Sequence, residues 1–158
     1  MRKQLSCLIL VVASLMLFSS VAAAQTSRAS VSAAEVNGTF RMNFKGKFKQ
    51  FSNEVKILAL RGGKVRFAMD LVYPYSLKNG EPMVNMGGLD DEAAIVGDTA
   101  VFTSEDAKCR ITIKFVKPGT VKVTQDGTDS YCGFGHNVFA TGTYLKVSSK
   151  KPVFDSDR

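Results

Sequence analysis

The feature that most constrains this chain is an alternation of period two, broken at intervals by turn residues. Cys109, Ile111, Ile113 and Phe115 share one parity, and Arg110, Thr112 and Lys114 share the other. An extended strand separates these sets onto an apolar and a polar face, whereas a helix would mix them. Lys117-Pro118-Gly119 then turns the chain, and Val121 and Val123 resume the inward parity.

The stretch FRMNFKGKFKQF, residues 40–51, tests the same rule. Its phenylalanines at 40, 44, 48 and 51 also fit one helical face. A helix would strand Met42 on the wrong side and carry Gly46 in its interior, so the strand reading is preferred over 40–48. That reading puts Arg41, Lys45, Lys47 and Lys49 in a basic row facing water.

Further strands are expected at 55–60 and 65–73 around the Arg61-Gly62-Gly63-Lys64 hairpin turn. Pro74, Asn79-Gly80 and Pro82 predict a looser connection. MVNMGG and EAAIVG read as short strand pieces around an acidic loop, Asp90-Asp91-Glu92. TAVFTS and a last strand over 137–147 complete the set. About eight short strands joined by hairpin-length turns predict an all-β antiparallel meander. A sheet of that many strands removes its unpaired edges by closing, here into a small calycin-like barrel. The alternative is a two-sheet β-sandwich.

The chain opens MRKQ, runs through LSCLILVVASLMLFSSV and reaches Ala22-Ala23-Ala24. A charged start, an apolar stretch and an A-x-A site predict a secretory signal peptide over 1–24, cleaved near Ala24. The expected organisation is then a flexible leader over 25–36, one domain over 37–148, and a polar tail over 149–158. The expected location is periplasmic or secreted. The formal charge is +7, and loss of Arg2 and Lys3 lowers it to +5. The cations are scattered along the chain, so no nucleic-acid footprint is read.

Export removes Cys7 and leaves Cys109 and Cys132, which an oxidising compartment pairs as a disulfide. A metal site built on Cys132 and His136 would lack ligands, and no metal or cofactor is expected. His136 is the single histidine. A serine triad would need it beside Ser130 and Asp129, but no nucleophile elbow is present, and the carboxylates of 90–92 are neighbours rather than a pair flanking a substrate. No catalytic residue is assigned.

The run CRITIKFVKPGTVKVTQDG, then CGFGHNVFATGTYLK, with GLDDEA upstream at 88–93, resembles small exported bacterial envelope domains distantly similar to periplasmic lysozyme inhibitors. That resemblance implies a disulfide-bearing barrel that binds a lysozyme or related cell-wall hydrolase by inserting a loop into its cleft. Inhibitors of that kind carry Ser-Gly followed by Tyr on such a loop. The nearest match here, Thr141-Gly142-Thr143-Tyr144, falls within an expected strand. The candidate contacts are therefore Asp90, Asp91 and Glu92, with Gly133, Phe134, Gly135 and His136 as a rigid second loop. Two other readings stay open. One is a carrier holding a small apolar ligand among Phe40, Phe44, Phe67, Met69 and Phe115. The other is an envelope-associated structural protein setting its basic row against anionic lipid or polymer.

Overall fold

The computed structural model describes residues 28–154, so the expected signal peptide lies outside the described residues. Eight antiparallel strands form a closed barrel in simple chain order. They are β1 (Gly38–Asn43), β2 (Ser52–Leu60), β3 (Lys64–Ser76), β4 (Pro82–Val96), β5 (Thr99–Thr103), β6 (Arg110–Lys117), β7 (Thr120–Asp126) and β8 (Gly142–Ser148). β1 pairs with β8, Phe40 opposite Lys146, and this contact closes the barrel. The expected meander is observed, and the sandwich alternative is excluded.

Alternation positions the core. Phe40, Val55, Ile57, Phe67, Ile111, Ile113, Phe115, Val123 and Tyr144 all point inward and are buried. The rings of Phe40 and Phe115 meet edge to face at 6.3 Å, a geometry favoured by the aromatic quadrupole. Tyr144 is wholly buried and donates its hydroxyl to the Ala140 carbonyl at 2.8 Å. Inward side chains from all eight strands meet in one buried core, as an eight-stranded barrel permits.

Several sequence expectations are corrected. The strand over 40–48 stops at Asn43, because Gly46 takes a φ of 62° and starts a 3-10 turn over Gly46–Phe48. Pro74 does not end its strand: β3 continues to Ser76, and β4 is one strand of 15 residues running through the acidic segment. The last strand starts at Gly142 rather than 137, with Asn137 at a φ of 60° in the preceding loop.

Both expected loose ends are docked. Helix α1 (Ala33–Val36) is held by a capping box between Ser32 and Glu35. Lys146 Nζ donates to the carbonyls of Ala34, Glu35 and Asn37 at 2.8–2.9 Å, placing a cation on the orphan acceptors of the helix end. Arg28 ties this segment to the barrel: its N–H donates to Asp98 Oδ2 at 3.0 Å, and its guanidinium reaches Glu35 and the Phe115 carbonyl. At the other terminus Phe154 is buried, with the Arg66 guanidinium 4.1 Å from its ring centroid. The segments 28–36 and 149–154 are thus anchored to the barrel through Arg28, Val36 and Phe154, while most of their other residues are exposed.

Candidate functional site

Strand lengths create the features from which a site can be built. β3 and β4 stay in register from Lys64↔Ala94 to Ser76↔Pro82, but β2 accompanies β3 only as far as Asp70. The rest of this hairpin is an arm reaching past the barrel. On its other side β4 pairs with β5 only over Ala94–Val96.

The gap beside the lower part of β4 is filled by the loop over 127–141. Gly135 N–H donates to the Met86 carbonyl at 3.0 Å, and Asn85 Nδ2 donates to the His136 carbonyl at 2.7 Å. Phe134, mostly buried, packs with Val138 over Gly87, where a side chain would have no room. Asp129 organises the loop by accepting from Asn137 N–H at 2.6 Å and Ser130 N–H at 2.7 Å. These bonds, assisted by nearby His136, hold its carboxyl below the usual range. A disulfide between Cys109 and Cys132 pins the loop to the start of β6. The expected pairing of these cysteines is observed.

The structure separates the expected contact residues. Gly133 to His136 form part of this filler loop, with Phe134 and Gly135 turned to β4. His136 is exposed, its Nδ1 3.9 Å from Asp129 Oδ2, while the Ser130 hydroxyl pairs with Thr128 at 2.9 Å. Among the described residues no hydrogen bond joins Ser130 to His136.

Asp90, Asp91 and Glu92 lie on β4, not on a loop, so they do not form a tip that enters a cleft. Asp90 receives both arms of Arg66 at 3.0–3.1 Å, and Glu92 pairs with Lys64 at 2.9 Å. Asp91 stands opposite Phe67 and accepts from Glu92 N–H at 2.7 Å. That N–H points away from β3, because Met86, of the same parity, also bonds on that side. The acidic run therefore guards an open strand edge, with one carboxylate covering an edge donor. Where β4 and β5 part there is an open concavity of about 620 Å³, lined by Asp91, Glu92, Val101, Phe102, Thr103 and Glu105. Among the described residues neither Asp91 nor Glu105 has an ion-pair partner.

The basic row is also divided. Arg41 is on β1 and bonds Glu54 across the strand pair at 2.8 Å. Lys45, Lys47 and Lys49 sit in the β1–β2 loop, with Lys47 Nζ 4.9 Å from the Phe48 ring centroid. A second concavity, of about 290 Å³, opens at this end of the barrel between Met42, Phe44, Tyr73 and Phe139.

Sequence reasoning weighed Asp129 only as a triad acid and Phe134 and Gly135 only as partner contacts, missing that they organise and seat the loop on β4, and it did not single out Phe139. The Gly87-Gly88 pair inside a strand was the available signal, since glycine there marks close approach by another backbone or ring. No family model, no curated protein and no solved structure matches the chain.

Proposed function

We propose that this chain is an exported, non-catalytic binding protein that works from the outer surface of its barrel. Its partner on this reading is a cationic protein, and cell-wall hydrolases of the lysozyme type are the class that the family resemblance implies. The observation that carries the proposal is the acidic concavity between β4 and β5. Asp91 and Glu105 supply negative charge beside the apolar Val101 and half-buried Phe102, with Glu92 next to them already paired to Lys64. Such a surface steers and holds a basic partner despite the chain's overall positive charge, because complementarity is local. Recognition is by an open strand margin rather than by a loop inserted into a cleft. The mutual packing of Phe40 with Phe115 in a continuous buried core, rather than around a ligand, speaks against the carrier alternative.

The test is a cell-wall lysis assay in which the mature, oxidised chain, residues 25–158, is titrated against a panel of lysozyme types. Stoichiometric inhibition of one type is expected, with about a tenfold loss of potency in Asp91→Asn/Glu105→Gln. Inhibition of no type would remove the hydrolase as partner. Inhibition that the double variant leaves intact would remove the concavity as the site.

A further inference from the structure

We propose that the loop-bearing end of the barrel docks on the surface of an anionic phospholipid bilayer. This face is distinct from the acidic concavity, and the proposal does not rest on the hydrolase reading.

The apolar half of the argument comes from the β3–β4 arm. Its inward-parity face continues from Met69 and Leu71 to Tyr73, which stands opposite Asn85, and to Tyr75, which stands opposite Met83. Beyond the barrel rim this face has no sheet beneath it. Tyr73 is 40% exposed, Leu77 40%, Met83 45%, and Phe139 on the neighbouring loop 48%. Tyr73 and Phe139 share a groove with Met42 and Phe44. Large apolar side chains are thus gathered at this end of the barrel, while Phe40, Val55, Phe67, Ile111 and Tyr144 deeper in the same interior are covered. Such a cluster marks an interaction site rather than ordinary surface.

The charged half comes from the two loops at the same end. Phe44 leads into Lys45, Lys47 and Lys49, and Lys78 stands at the tip of the arm. All four are exposed, and among the described residues none has an ion-pair partner. Glu81, the acid on these two loops, accepts from Asn79. Aromatic and aliphatic side chains ringed by lysines match a bilayer interface, where rings sit at headgroup level and ammonium groups meet lipid phosphate. A soluble polyanion would satisfy the lysines and leave the apolar groove in water. A second copy of this chain would cover the groove while setting lysines against lysines.

The experiment is co-sedimentation of the mature, oxidised chain with phosphatidylcholine vesicles, with and without phosphatidylglycerol, at low and high ionic strength. Binding to the anionic vesicles alone, fading with salt, is expected. Lys45→Gln/Lys47→Gln/Lys49→Gln should lower partitioning by about 100-fold, roughly fivefold per lysine. Phe139→Ser and Tyr73→Ser should each lower it by about tenfold while leaving the circular dichroism unchanged, since both side chains are already half exposed. Absence of binding to anionic vesicles at low ionic strength overturns the proposal. So does binding that both serine variants leave unchanged, or equal retention on a soluble polyanion that they do not weaken, since either would be purely ionic.

Discussion

Replacing Gly135 by alanine tests whether the 127–141 loop is a structural part of the barrel wall. Gly135 has an ordinary backbone conformation, so alanine meets no left-handed strain there. Its Cβ would instead fall on the Met86 carbonyl oxygen, a backbone atom of β4 that cannot swing aside. Relief requires the loop to lift. Lifting breaks the Gly135 N–H bond to Met86, worth about 1 kcal/mol, and re-exposes part of the Phe134 ring, worth about 1 to 2 kcal/mol more. The expected loss is about 2 to 3 kcal/mol, or about 10 °C in melting temperature for a chain of this size. Gly133→Ala is the control. That residue has a φ of 72° and nothing within 4 Å of its would-be Cβ, so its substitution costs only left-handed strain of about 1 kcal/mol. Guanidinium unfolding followed by circular dichroism, with the disulfide intact, gives both values. If Gly135→Ala proves no worse than Gly133→Ala, the loop is not seated on β4 and the account of the gap is wrong.

Cys109→Ala/Cys132→Ala, which opens a crosslink spanning 23 residues of sequence, is expected to cost about 3 kcal/mol in the same unfolding measurement. A loss under about 1 kcal/mol would mean that the loop holds without its pin. Phe154→Ala should cost about 3 kcal/mol, because it removes a buried ring from under Arg66, whereas deletion of a true solvated tail would be silent in a melting curve. Tyr144 makes stability sensitive to alkali. Burial raises its hydroxyl well above the ordinary value of 10.0, with Asn53 acting weakly the other way. The unfolded chain therefore releases this proton first. Stability is fully present below pH 10 and falls as pH rises past it, at up to about 1.4 kcal/mol per pH unit. Tyr144→Phe should lose about 1 kcal/mol at neutral pH, with the hydrogen bond to Ala140, and show a flatter alkaline limb. Equal alkaline limbs for parent and variant would contradict the assignment.

The barrel was legible because its information is local. Period-two runs at 65–71 and 109–115, separated by glycine turns, dictate strands and their inward faces whatever surrounds them. What alternation could not carry was strand length. Pro74 reads as a break, yet it is tolerated within β3, whose pairing partner on one side stops at Asp70. The acidic run reads as a loop because charges are rare on a strand buried on both sides. It remains strand because Lys64 and Arg66 lie across the ladder and because one margin of β4 is open there. Docking of the termini was equally hidden. Val36 and Phe154 sit in short, largely polar stretches without a period, and only the fold brings Lys146 to the helix end and Arg66 to the Phe154 ring. At the candidate site the residue types were found and their roles were not, because those roles depend on which strand stops first.

The two proposed surfaces have opposite signs, and their separation decides whether they are compatible. Along β4 the mouth is marked by Asn85, opposite Tyr73, and the acidic concavity by Asp91, six positions further on. At about 3.3 Å per residue this is a distance of about 20 Å. The screening length at physiological salt is about 8 Å, so an anionic surface held at the mouth is screened over more than two such lengths before it meets Asp91. A barrel resting mouth-down on anionic lipid would therefore keep its acidic concavity available to a cationic protein in solution. At low ionic strength, where screening extends to about 30 Å, the same lipid would repel Asp91 and compete for the cationic partner. Inhibition in the presence of anionic vesicles should then strengthen as salt is raised from low to physiological levels. The opposite trend is expected of a single ionic contact, and observing it would show that the two faces do not act independently.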